Sequence, residues 1–166
     1  MRSASTEHSA PEARARLSEK GRDRMWFTKA LVAYDGSAAS KNAVDLAMEM
    51  AKDSDQTQFL VVHVLKLPPV RSGTGVEAMF AEEAQNTLAD LERMVAPLGD
   101  RAQARILRGT SPAEVLIKGA EEEGCDLIIM GSRGQGGVKG FLGSVSYAVT
   151  KESPMTVLIA KEGDCR

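Results

Sequence analysis

Four short stretches of this chain are apolar at nearly every position, not at every second one: Ala30-Leu31-Val32-Ala33-Tyr34, Phe59 to Leu65, Leu127-Ile128-Ile129-Met130 and Thr156-Val157-Leu158-Ile159-Ala160. A strand with one wet face alternates apolar and polar residues, whereas a strand apolar throughout is covered on both faces. Helical spacing fills the gaps between these runs. Ser37 stands as a cap before Ala43, Leu46, Ala47 and Met50, which predict a helix to about Lys52. Phe80, Ala84, Leu88, Leu91 and Val95 predict a long second helix that stops near Pro97 and Gly99. Ser111-Pro112-Ala113-Glu114 combines a capping box with proline at the first helical position. Ala113, Leu116, Ile117 and Ala120 then share one face, and Gly124 ends that helix. A weaker strand at Ala102 to Leu107 and a short helix from Ser144 to Glu152 complete the series. Strands alternating with helices predict one α/β domain, an open parallel five-stranded sheet with helices on both faces.

The 166 residues leave room for one domain with a proper core and no second one. Residues 1–24 are rich in Ala, Arg, Ser and Glu and have almost no large apolar side chain, so they read as a disordered extension, with Met25 an alternative start. The domain is expected over residues 25–162, with 163–166 a tail. A net charge of −2, without a concentrated basic stripe, argues against a nucleic-acid partner. No apolar stretch approaches the ~20 residues that span a bilayer, and no secretory signal is visible, so a cytoplasmic protein away from membranes is expected. Cys125 and Cys165 show neither metal-ligand spacing nor a disulfide framework.

Ligands of open parallel sheets bind beyond the carboxyl ends of the strands, which singles out two loops: Asp35-Gly36-Ser37 and the glycine-rich segment from Met130 to Val145. Glycines let a backbone approach a ligand and point successive N–H groups inward, as phosphate-binding loops do. Gly143-Ser144 then opens a helix whose free N–H groups form a second anion site, with Arg133 and Lys139 supplying positive charge nearby. The plainer reading is that these glycines only allow a tight loop. Position at a strand end favours the ligand reading. There is no Gly-x4-Gly-Lys-Ser/Thr, and Lys139 takes the place of the third glycine of a dinucleotide fingerprint.

The segments Val32-Ala33-Tyr34-Asp35-Gly36-Ser37, Val62-His63-Val64, Met130-Gly131-Ser132-Arg133-Gly134 and Gly143-Ser144-Val145-Ser146 resemble the universal stress protein family over about Lys29 to Lys161. Its nucleotide-binding members carry Gly-x2-Gly-x9-Gly-Ser/Thr, matched here in type and order by Gly131, Gly134, Gly143 and Ser144. Eight residues, not nine, separate Gly134 from Gly143. The resemblance implies strand order 3-2-1-4-5 in a fold of the adenine nucleotide alpha hydrolase type. It implies that Asp35 and Val64 contact adenosine, with Ala33 and Tyr34 beside them. Met130 and Gly131 would lie near base and ribose, while Gly134, Gly143, Ser144 and Val145 would hold phosphates. The implied ligand is ATP, with or without Mg²⁺, or else AMP or cyclic AMP. The resemblance also implies a homodimer joined through the fifth strands, acting in stress response or signalling.

Some residues keep two readings. Asp35 is a ligand group or a turn former, and its place at a strand end favours the first. Arg133 and Lys139 bind phosphate or are solvated loop charges. His63, alone in an apolar strand, reads as a hydrogen-bonded core residue, and His8 falls in the extension. The methionines read mostly as packing. No Ser-His-Asp set or Gly-x-Ser-x-Gly elbow is visible, so catalysis is not expected beyond a slow ATPase activity. A dimeric interaction or chaperone-like module of the same fold, without nucleotide, is the alternative that the shorter linker suggests.

Overall fold

The computed structural model describes residues 25–67, 74–134 and 141–161. In chain order these form β1 (Lys29–Ala33), α1 (Ala38–Met50), β2 (Gln58–Lys66), α2 (Thr74–Val95), a 3₁₀ stretch (Ala96–Arg101), β3 (Ala102–Gly109), α3 (Pro112–Glu122), β4 (Leu127–Gly131), α4 (Ser144–Glu152) and β5 (Thr156–Ala160). The five strands make one parallel sheet in the order β3-β2-β1-β4-β5.

Register explains why the strands are apolar throughout. Leu31 lies opposite Leu60 on one side and Ile128 on the other, and all three enter a core with Leu116 and Ala120 of α3 and Val149 of α4. One residue on, Val32, Val61 and Ile129 form the next row and enter the opposite core, with Ala43 and Ala47 of α1 and Leu91 and Val95 of α2. Successive side chains point to opposite faces, so each of these positions is buried. Each such side chain contributes about 1.5–3 kcal/mol on burial.

The helix boundaries have local causes. Ser37 caps α1 by accepting the Ser40 N–H at 3.1 Å. At the end of α3, Gly124 takes a φ of 66°, its N–H donates to the Glu121 carbonyl and the Cys125 N–H to that of Ala120. This double bond pattern is the helix stop that glycine permits. Ser111 precedes α3 as expected, with Pro112 first in the helix, but its side chain makes no capping bond, so the capping box read from sequence is present only in spacing. β1 ends one residue earlier than expected, at Ala33, while β3 runs two residues further, to Gly109, because it stays paired with β2 as far as Lys66. Met48, Met50, Met94 and Met155 pack against the cores, but Met79 is 72% exposed on the outer face of α2.

The bottom of the sheet is pinned by Asp126, whose carboxylate accepts the Thr28 N–H at 2.8 Å, the Thr28 hydroxyl at 2.9 Å and the Lys29 N–H at 3.1 Å. Burial pushes this carboxyl up, but the three donors outweigh it and hold it below the usual carboxylate range. Cys125 next to it is buried, and burial pushes its thiol up to about 11. Among the described residues no helix is long and apolar enough to cross a membrane. His8, Lys139 and Cys165, with the expected disordered extension, residues 68–73 of the expected loop and residues 135–140 of the linker from Gln135 to Leu142, lie outside the described residues, while Gly75, read as a loop marker, falls in the first turn of α2.

Candidate functional site

β1 and β4 are neighbours in the sheet, and the chain leaves them toward opposite flanks, so a crevice opens where their ends part. A cavity of about 420 Å³ lies there, within the range of small-ligand sites. The end of β1 contributes Ala33, Tyr34 and Asp35, and β2 contributes Val64. The end of β4 and its loop contribute Met130, Gly131, Arg133 and Gly134, and the start of α4 contributes Gly143, Ser144 and Val145. These eleven residues, named from sequence as nucleotide contacts, therefore border one cavity. Sequence reading missed Ser40, Val62, Pro112, Leu116 and Ser146, which border it too. Val62 could have been found, since it shares a strand face with Val64. Pro112 and Leu116 come from α3, whose pattern gives only a helix start and a core face.

Hydrogen bonds tie the two lips together. Asp35 Oδ1 accepts the Ser37 N–H at 3.0 Å, bending the chain into α1, and Gly36 adopts a φ of 82° in that turn. The Ser37 hydroxyl donates to the Arg133 carbonyl at 3.2 Å, crossing from the β1 loop to the β4 loop. The Gly143 N–H and the Ser146 hydroxyl both donate to the Ser132 carbonyl, at 2.8 and 2.9 Å, which brings the start of α4 back onto the end of β4.

Two of the glycines serve this closure. A Cβ on Gly131 would stand 2.7 Å from both the Ala39 carbonyl carbon and the Ser40 nitrogen, so only glycine lets α1 begin against the end of β4. A Cβ on Gly134 would stand 2.6 Å from Asp35 Oδ2. At both positions the missing Cβ lets the two lips of the site come together.

The cavity is chemically two-ended. Val62, Val64, Leu116, Met130 and Pro112 make an apolar wall, and Pro112 has no N–H to offer. At the other end, α4 starts from Gly143, which has no side chain to cap it, and the first intrahelical bond comes from the Tyr147 N–H to the Gly143 carbonyl at 2.8 Å. By helix geometry the N–H groups of Ser144 and Val145 have no acceptor within the helix, and they sit where the dipole favours an anion. Arg133, half-buried, also borders the cavity, and its Cα lies beside Gly143. Burial raises the Tyr34 phenol above its usual value, helped by the negative charges of Asp90 and Asp35, so it stays neutral near pH 7. Among the described residues no group of three or more His, Cys, Asp or Glu could hold a metal ion.

The model of the Universal stress protein family matches residues 27–161. The chain belongs to the universal stress protein family. Universal stress protein YxiE of Bacillus subtilis is 34% identical over 149 residues, a match spanning 81% of this chain and 99% of that protein. The solved structure of MJ0577, a universal stress protein of Methanocaldococcus jannaschii, superposes with a TM-score of 0.73 at 28% identity, covering 84% of this chain and 99% of the other. A universal stress protein solved in complex with cAMP shares the fold at 23% identity, with a TM-score of 0.63 and coverage of 82% and 98%. The strand order and the placing of the glycine-rich segment after the fourth strand agree with the sequence expectation for a universal stress protein.

Proposed function

We propose that this universal stress protein binds an adenine nucleotide, ATP first among them, across the crevice between β1 and β4. The supporting observation is the two-ended cavity: an apolar wall sized for a base, and an uncapped helix start beside Arg133 sized for phosphate. In this reading Val64, Met130 and Leu116 enclose the base, and Asp35, at the exposed rim, accepts hydroxyls of the ribose. Ser144, Val145 and the Gly134 backbone hold the phosphates. Mg²⁺ would enter with the phosphates, which supply hard oxygen ligands. The cAMP-bound relative makes cAMP and AMP the ligands to compare.

A homodimer joined through β5 accompanies this reading. β5 is an edge strand, and its Val157, Leu158 and Ile159 are only partly buried in one chain.

The eight-residue spacing between Gly134 and Gly143 supports a second reading, an interaction module of the same fold that holds no nucleotide. Isothermal titration calorimetry with ATP and Mg²⁺, AMP and cAMP, after stripping co-purified nucleotide, separates the two. Micromolar or tighter ATP binding, with a matching rise in melting temperature, supports the first. Saturating nucleotide without heat or thermal stabilisation refutes it. Sedimentation velocity tests the dimer, which a monomer at micromolar concentration would refute.

A further inference from the structure

The peptide unit joining Tyr34 to Asp35 is the last before the β1 loop, and its orientation sets where the Asp35 carboxylate stands. Its two polar ends have different partners. The Asp35 N–H donates to the Ser40 hydroxyl at 3.3 Å, a long bond. The Tyr34 carbonyl lies 2.9 Å from His63 Nδ1. A carbonyl only accepts, so Nδ1 carries a proton and donates. His63 sits between Val62 and Val64, whose side chains border the cavity, so its ring lies on the opposite face of β2, with Phe59 and Val61. It touches no part of the cavity, yet it holds the stronger end of the peptide unit that delivers Asp35. The Tyr34 N–H is held by β2 as well, donating to the Val62 carbonyl at 2.8 Å.

We propose that His63 is a positioning residue: its Nδ1–H bond to the Tyr34 carbonyl fixes the peptide plane that places Asp35 at the rim of the cavity. This rests on the adenine-nucleotide reading of that cavity. A neutral hydrogen bond of this kind contributes about 0.5–1.5 kcal/mol. Without it the chain spends less time with Asp35 in place, and apparent affinity falls by that fraction, about three- to tenfold.

Because Asp35 is assigned to the adenosine half, the loss falls equally on adenosine and on ATP. A disturbance of the phosphate end would weaken ATP alone. The test titrates adenosine and ATP into wild-type protein and the variants His63→Phe, His63→Met and His63→Asn. Phenylalanine keeps the ring without the donor. Methionine is a flexible filler should phenylalanine prevent folding. Asparagine restores an N–H at the position of Nδ1. The expected result is a matched three- to tenfold weakening for the first two variants, with His63→Asn within about twofold of wild type. Wild-type affinity in His63→Phe and His63→Met overturns the inference, as does an Asn variant as weak as they are. If wild-type protein binds neither ligand, the nucleotide reading itself fails and the inference falls with it.

Discussion

Gly131→Ala is the most direct probe of how the site is closed. The added methyl would lie 2.7 Å from the Ala39 carbonyl carbon and the Ser40 nitrogen, and 2.9 Å from the Ala39 Cβ. Two of these three atoms are backbone, so no side chain can swing away, and the start of α1 must move off the end of β4. Ordinary carbon contacts begin at about 3.5 Å, so the required displacement approaches 1 Å. Gly131 does not have a positive φ, so alanine carries no conformational penalty there and the cost is steric. Overpacking of a tight site costs about 1–3 kcal/mol. In a chain of this size that lowers the melting temperature by about 2–4 °C per kcal/mol. The same displacement stretches the 3.2 Å bond between Ser37 and Arg133 and parts the two lips, so the proposed nucleotide binding should weaken further than stability alone would require. Gly143→Ala is the internal comparison, because its methyl would meet its nearest atoms, Arg133 Cα and Ser146 Oγ, at 3.3 Å, a gap a small adjustment can absorb. Thermal denaturation and calorimetry on both variants decide the matter. A Gly131→Ala protein as stable as wild type, or less affected than Gly143→Ala, would refute the steric account of this glycine.

Ser37→Ala removes both the cap of α1 and the bridge to Arg133, and should cost about 1 kcal/mol in urea denaturation while also weakening ATP binding. Asp126 is held below the usual carboxylate range, so its stabilising contribution is complete above about pH 4 and is lost as pH falls through its lowered value. Urea midpoints measured from pH 7 to pH 3 should therefore drop at the acid end, and should drop less in Asp126→Asn, which starts lower. Cys125, with a thiol pushed up to about 11, should react slowly with a disulfide reagent at pH 8 in a Cys165→Ser background and quickly once urea unfolds the chain. Fast labelling of the native protein would contradict the packing of α3 against the sheet.

The sequence revealed the fold wherever one physical signal dominated. The unbroken apolar runs Leu31-Val32, Leu60-Val61 and Ile128-Ile129 have no other explanation than burial on both faces, and their rows divide between the two cores. The bounds of α4 and β5 were legible as well, since Gly143-Ser144 opens the helix and the run from Thr156 to Ala160 marks the strand. What pattern alone could not supply was proximity across the chain. Leu116 belongs equally well to a core face and to a cavity wall, and only the packing of α3 over Val62 and Val64 shows that it does both. The role of Gly131 was hidden in the same way, because the atoms it must avoid belong to Ala39 and Ser40. The bond that Ser111 does not make reflects the limit of a spacing rule, which predicts a candidate donor and acceptor but not the torsion angles that bring them together.

The bond from Ser37 to Arg133 joins residues 96 positions apart. Its two ends are therefore synthesised well apart in time, and a nascent chain that has released only β1, β2 and β3 possesses half a binding site. No fragment stopping short of α4 can hold a ligand that needs both lips. Binding would then report that the chain has been made as far as the start of α4, and a bound ligand would brace the sheet across the seam between β1 and β4.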